Sequence, residues 1–318
     1  PDVFDTVRAL QLVKVDGIVT DDNGDKLTDF NGEIFSSVFD KKVEIQTFGD
    51  ENSPYTFFVR NSVIFNGKAS IKNGGFTFEF MVPKDIAYKY GDGRISYYFR
   101  DTITDGNGYS ENIIVGGFDE NAKEDTEGPE IVLYMNDTTF LNGGVTNQNP
   151  RLLAFVSDSS GINTTGNGIG HDIVTIINED KEQAYVLNDY YEANENRYNQ
   201  GTIVYPFSDL PDGEHSLSIK VWDVYNNSSM AYLDFVVVSS AEVIVDNLMN
   251  FPNPFFNETS FVFDHNQSGN TIDVSIDIFS LDGRLIKKIV TTLNPEGHRS
   301  EPIVWDGTTD SCGNIGKG

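Results

Sequence analysis

The stretch GFTFEFMVP, residues 75–83, decides the reading of the fold. Phe76, Phe78 and Phe80 fall on one face, Thr77 and Glu79 on the other. That period of two, carried by aromatic residues, is the mark of a half-buried β-strand. HSLSIKVWD (215–223) repeats it with Leu217, Ile219 and Val221 against Ser216, Ser218 and Lys220. TIDVSIDIF (271–279) does so again with Ile272, Val274, Ile276 and Ile278 against Asp273, Ser275 and Asp277. Turn signals separate such runs: Asn23-Gly24, Asn66-Gly67, Asn73-Gly74-Gly75, Asp92-Gly93, Asp212-Gly213 and Asp282-Gly283. No helical stripe of three turns occurs, and KDIAYKY (84–90) has room for one helical turn after Pro83.

Two polar, proline-bearing joints divide the strands. The first is DENAKEDTEGPE, Asp119 to Glu130; the second runs from Val238 to Pro254. Between them lie strand-like runs near 131–135, 151–156, 173–178, 183–187, 202–206, 215–222 and 230–238, the number and spacing of an immunoglobulin-like or fibronectin-like sandwich. The expected fold class is therefore all-β, with three consecutive Ig-like/fibronectin-like β-sandwich modules over residues 1–126, 127–240 and 245–318. Five strands are expected in the last module, which lacks its final strand, and both chain ends read as cuts in a longer protein.

Composition narrows the function. Lys and Arg total 22 against 49 Asp and Glu, a formal net charge of −27. Such a surface repels phosphate backbones and anionic lipid, so nucleic acid is not expected. No direct membrane span is expected either, because the longest apolar run, YLDFVVVSSAEVIV (232–245), is broken by Asp234 and Glu242 and is too short to cross a bilayer. Cys312 is the single cysteine, so no intrachain disulfide can form and the fold rests on packing and sheet hydrogen bonds. Cys312 lies in the polar turn TTDSCGN, with no strained elbow and no protease signature, and reads as a loop thiol. The four histidines, His171, His215, His265 and His298, show no metal-ligand spacing. No catalytic residue, zinc site or cofactor is therefore expected. Asp21, Asn23 and Asp25 alternate like calcium ligands, but Lys26 and Gly32 stand where an EF-hand loop needs Gly and Glu. They are weak candidates for a structural Ca2+; an Asn-Gly hairpin is the simpler reading. YYFR (97–100) and NDYYEANENRY (188–198) carry aromatics suited to sugar contacts, with Tyr190 and Tyr191 the strongest because they lie in a loop.

The third module is the most specific. FPNPFFNETSFVF (251–263), VSIDIFSLDGRLIKKI (274–289) and WDGTTDSCGNIGKG (305–318) resemble the FlgD-like immunoglobulin domains at the C-termini of type IX secretion cargo. The matching residues are Pro252, Asn253, Pro254, Phe255, Thr259, Phe261, Gly283, Arg284, Trp305, Asp306, Gly307 and Gly313. GPEIVLYMNDTTFLNGG (128–144) and the WDVYNNSS ending (222–229) resemble the region that follows the protease domain in the gingipain-related cysteine peptidases acting as type IX sortases in Bacteroidetes. FNGEIFSSVFDK (30–41) extends that resemblance into the first module. The resemblance implies a non-catalytic C-terminal region on the extracellular face of the outer membrane. The His-Cys pair of the family belongs to an upstream protease domain and has no counterpart here. It also implies docking of residues 245–318 on an outer-membrane β-barrel protein (PorV-like). The competing expectation is a carbohydrate-binding or adhesive tail of another surface protein.

Overall fold

The computed structural model describes residues 6–50, 53–164, 170–239, 243–280 and 283–310. Strands dominate, and two short 3-10 turns are the only helical pieces among the described residues. The chain is all-β with sandwich packing, as the alternating runs predict. No helix among the described residues is long and apolar enough to cross a membrane. The chain groups into two compact units: Pro1–Val132 with Ala154–Val204 and Ser218–Ala231, and Leu133–Leu153 with Tyr205–Leu217 and Tyr232–Gly318.

The first segment carries β1 (Val7–Ala9), β2 (Leu12–Ile18), β3 (Gly32–Phe39), β4 (Val43–Gln46), β5 (Thr56–Val59), β6 (Val63–Lys72) and β7 (Gly75–Met81). It continues with β8 (Gly91–Asp92), β9 (Arg94–Arg100), β10 (Asp105–Ser110) and β11 (Ile114–Phe118). A six-stranded antiparallel sheet, ordered β10-β9-β3-β6-β7-β2, packs with a three-stranded sheet, β1-β11-β8. GFTFEFMVP supplies β7: Phe78 and Phe80 are buried and their rings stack with Phe65 at 6.0 and 5.1 Å. Each buried ring contributes roughly 1.5–3 kcal/mol. Asn73 (φ 50°) and Gly74 (φ 68°) make the tight turn between β6 and β7.

Two expectations need correction. Asn66-Gly67 is not a turn; it lies inside β6, opposite Ser37 and Ser36 of β3, and the Phe65 ring occupies the space a Cβ on Gly67 would take. KDIAYKY forms no helix. Ile86 is buried in the core and Lys84 N–H donates to Val224 C=O at 2.9 Å, so packing fixes this stretch as a loop.

The middle segment carries β12 (Glu130–Met135), β13 (Val145–Thr146), β14 (Arg151–Ser157), β15 (Val174–Ile177), β16 (Tyr185–Val186) and β17 (Tyr191–Ala193). The segment ends with β18 (Gln200–Pro206), β19 (Gly213–Trp222) and β20 (Ser228–Val237). Its sheets are ordered β12-β14-β18-β17 and β13-β20-β19-β15-β16. HSLSIKVWD falls in β19, with Leu217, Ile219 and Val221 fully buried. The last segment carries β21 (Val245–Phe251), β22 (Thr259–His265), β23 (Ile272–Phe279), β24 (Leu285–Leu293) and β25 (Ile303–Trp305). Strands β21-β22-β25 form one sheet and β23-β24 a hairpin over a small core of Phe263, Leu293 and Ile303. β1 runs parallel to β11, placing Val7 opposite Val115, and β13 runs parallel to β20, placing Val145 opposite Val236.

Within the first unit, Lys68 of β6 pairs with Glu192 at 2.5 Å and Ser70 N–H donates to Asn196 Oδ1 at 3.0 Å. Within the second, His298 N–H donates to Asp137 Oδ2 at 3.0 Å, and Phe140 meets the His298 ring edge-on at 5.0 Å.

One core group is out of place. Tyr97 points inward against Phe76 and Phe78, and its Oη is buried without a hydrogen-bond partner. Burial pushes its pKa up to about 12 from 10. The fold therefore favours the neutral phenol. The associated stability is complete below about pH 10 and is lost as pH rises towards 12. Tyr97→Phe should raise stability by about 1 kcal/mol at neutral pH, by removing the orphan hydroxyl. It should also flatten the alkaline loss. Urea unfolding from about pH 8 to 11 checks both, and a variant that is less stable and equally alkali-sensitive contradicts them.

Candidate functional site

Three places in the molecule gather functional groups. The first is a corner in the last segment, built around Trp305. β22 and β25 pair antiparallel with Thr259 opposite Trp305 and Phe261 opposite Ile303. The rings of Phe255 and Phe261 lie 5.4 and 6.4 Å from the indole. Trp305 Nε1–H donates to Thr308 C=O at 3.0 Å, and Gly307 (φ 75°) makes the turn between them. Asp306 Oδ1 accepts from Thr308 Oγ1 at 2.7 Å and Thr308 N–H at 3.0 Å, which holds its carboxyl below the usual range. The buried Thr259 hydroxyl donates to Pro252 C=O at 2.8 Å. Asn253 Nδ2 reaches Asn250 Oδ1 at 3.3 Å. The peptide bonds preceding Pro252 and Pro254 are both cis.

The motif thus folds back on itself: its opening and its Trp-Asp-Gly step, distant in sequence, meet at one corner. Gly283 (φ 83°) and Arg284 lie elsewhere, at the β23–β24 turn, where Ser280 Oγ accepts from Arg284 N–H at 3.1 Å. Cys312, Gly313 and Asp282 lie outside the described residues.

The second place is a carboxylate cluster in the first unit that sequence reading missed. Asp125, Asp158 and Asp223 each present an oxygen within 4.8 Å of the others. Asp223 is fully buried. Its carboxylate accepts from the N–H groups of Tyr225 and Asn227 at 2.9 and 2.7 Å and from Asn227 Nδ2 at 2.8 Å. Burial first, then the charges of Asp158 and Asp125, push its pKa up to about 6. Ser160 Oγ donates to Asp125 Oδ2. All-oxygen carboxylate sets of this kind are the donors hard cations take. The only sequence trace was an Asp two residues before a turn Ser or Tyr, a pattern that ordinary Asx turns share. The sequence candidates Asp21, Asn23 and Asp25 behave differently. Asp21 Oδ1 accepts from the N–H groups of Asn23 and Asp25, both at 2.9 Å, and Gly24 has φ 87°. The backbone bond from Asp25 leads in holding the exposed Asp21 carboxyl low. Its charge closes the hairpin turn.

The third place is an open cleft of about 840 Å³ in the first unit. Strand register builds one wall. Along β9, Ile95, Tyr97 and Phe99 point into the core, so Tyr98 and Arg100 point out. In β3, Phe35 stands opposite Tyr98 and Glu33 opposite Arg100. The Phe35 and Tyr98 rings are 6.0 Å apart, and the guanidinium of Arg100 lies 5.2 Å over Phe35. The other wall comes from the 3-10 turn Asn188–Tyr190 and β17. Buried Leu187 anchors that turn, and Asn188 Oδ1 accepts from Ile173 N–H at 3.0 Å, leaving Asp189 and Tyr190 at the opening. Glu192 and Thr202, paired across β17 and β18, complete it. Tyr98 and Tyr190 remain 42% and 43% exposed. Tyr191 differs from its neighbour: its ring covers Gly201, and its Oη is buried without a partner. Burial drives its pKa well above the usual phenol range.

No family model and no curated protein matches the chain. Among solved structures, the chain is similar to dimeric latent PorU from Porphyromonas gingivalis, with 31% identity over 99% of this chain and a TM-score of 0.46. The match covers 30% of the PorU chain, so this sequence spans less than a third of that protein. A tetra-tandem repeat from the extending region of a large adhesion protein aligns at 12% identity, covering 95% of this chain and 67% of that one, with a TM-score of 0.22. Escherichia coli α2-macroglobulin aligns at 10% identity over 95% of this chain and 28% of its own, with a TM-score of 0.20.

Proposed function

We propose that this chain is the non-catalytic C-terminal region of a PorU-like, gingipain-related sortase of the type IX secretion system. In this reading its sandwiches position an upstream cysteine protease domain on the extracellular face of the outer membrane. Residues 245–318 then dock the protein on a PorV-like outer-membrane barrel. No residue of this chain takes a catalytic role. The observation that carries the reading is the Trp305 corner. Pro252, Asn253, Phe255, Thr259, Phe261, Asp306 and Gly307 form a linear pattern in the sequence, and in the fold they build one hydrogen-bonded and ring-packed unit around the indole. That convergence supports reading these residues as one folded module and not as a chance run of prolines and phenylalanines.

The test is retention. Full-length protein lacking residues 245–318 should no longer co-purify with the barrel protein, while its upstream domain stays folded and able to cleave a cargo-signal peptide. Undiminished co-purification of the truncated protein removes the docking assignment.

A further inference from the structure

We infer that the cleft between β9 and the Asn188–Tyr190 turn is a binding site for a neutral oligosaccharide, a function independent of the sortase reading. Its volume of about 840 Å³ lies in the range that holds a few sugar rings. Three features select the ligand class.

The first is ring exposure. Phe35, Tyr98 and Tyr190 come from three separate stretches of the chain and line the same opening. Aromatic faces half open to water in a concave site offer flat surfaces of low conformational entropy, to which the C–H faces of pyranose rings pack. The second is the polar complement. Arg100, Asp189 and Glu192 line the same space and present the planar two-nitrogen and two-oxygen forks that bind neighbouring hydroxyls. The Tyr191 ring packs into the cleft wall over Gly201 with its hydroxyl buried, so of the two tyrosines it is Tyr190 that offers a face to the ligand.

The third feature is charge. Arg100 faces Glu33 at 3.4 Å, and Lys68 is already paired with Glu192 at 2.5 Å. Asp105 accepts from the Tyr98 hydroxyl at 3.2 Å. Carboxylates therefore outnumber cations around the opening, which repels uronic, sialic or phosphorylated sugars and leaves uncharged ones. A peptide strand could not add to β3 or β9, which are interior strands of their sheet, and the one edge strand in the wall, β17, is only three residues long.

The experiment is calorimetric titration of the whole chain with maltopentaose, cellopentaose, xylopentaose, mannopentaose and chitopentaose, with oligogalacturonate as the acidic comparison. At least one neutral pentasaccharide should bind with Kd between about 10 μM and 1 mM. Tyr98→Ala and Tyr190→Ala should each weaken it roughly tenfold or more. Tyr55→Ala, an exposed ring outside the cleft, should leave it unchanged, and circular dichroism of all three variants should match the parent. The assignment is overturned by absence of binding to all five neutral sugars at about 5 mM. It is equally overturned by binding of oligogalacturonate alone, or by affinity indifferent to both cleft substitutions.

Discussion

Trp305→Ala should cost about 3–5 kcal/mol and unfold the last segment at temperatures where the other strands still hold. The indole is 6% exposed, packs on Phe255 and Phe261, and donates its N–H to Thr308. Truncation removes all of this at once, in a segment whose buried apolar core is otherwise Phe263, Leu293 and Ile303. A small core has little reserve, so one large cavity consumes most of it. Trp305→Phe keeps a ring against Phe255 and loses the donor, so it should cost only about 1–2 kcal/mol. Hydrogen exchange resolves the two variants by element. Amides of β22 and β25 should lose protection in Trp305→Ala, while those of β3 and β9 keep theirs. A loss below about 1 kcal/mol would mean that the corner collapses around the gap. Barrel retention should fall with the last segment's stability, linking this measurement to the docking proposal.

Gly297→Ala should cost about 2–3 kcal/mol despite adding a single methyl group. A Cβ at this position would overlap Asp137 Oδ2. That carboxylate has no freedom to swing away. It accepts from Thr139 N–H at 2.8 Å, from Thr139 Oγ1 at 2.6 Å and from His298 N–H at 3.0 Å. Although burial opposes ionisation, these bonds and the His298 charge keep the Asp137 carboxyl below its usual range. The overlap therefore breaks hydrogen bonds to a charged, partly buried group. Asp137→Ala alone should also destabilise, by losing the same bonds. Together the two changes should cost clearly less than their sum, because the clash has nothing left to meet. Full additivity would show that Gly297 is needed for its own backbone and not for the approach of Asp137.

The strands were legible wherever one face is buried and the other wet. GFTFEFMVP, HSLSIKVWD and TIDVSIDIF all lie in the elements their alternation predicts, because a one-residue slip would expose every apolar side chain. Asn66-Gly67 misled because local turn preference is weaker than the pairing of a ten-residue strand with its neighbour. Phe65 fills the space the glycine leaves, which no local pattern announces. Sites were less legible for a related reason. The alternation that puts Tyr97 inside also puts Tyr98 outside, so each residue's face could be read. That Tyr98 would share a cleft with Tyr190 depends on how separate segments pack, and periodicity is silent on that. Asp125, Asp158 and Asp223 come from three separate stretches, and their convergence had no linear signature. The Trp305 corner was readable only because its parts recur together as a pattern. Its physical basis, a buried threonine and an indole closing on an early proline carbonyl and a later turn, appears only in three dimensions.

The parallel ladders govern how this chain carries mechanical load. In two sandwiches an early strand runs alongside the closing strand in the same direction, with Val7 beside Val115 and Val145 beside Val236. When such a module is pulled from its two ends, the paired strands slide past each other. The rungs then share the force and must rupture together, whereas an antiparallel closing pair would unzip one rung at a time. On the proposed sortase reading, with the last segment docked and an enzyme at the other end, such ladders would serve as shock absorbers. The first sandwich shows this most directly, because the chain enters it along β1 and leaves along β11, the two strands of its parallel ladder.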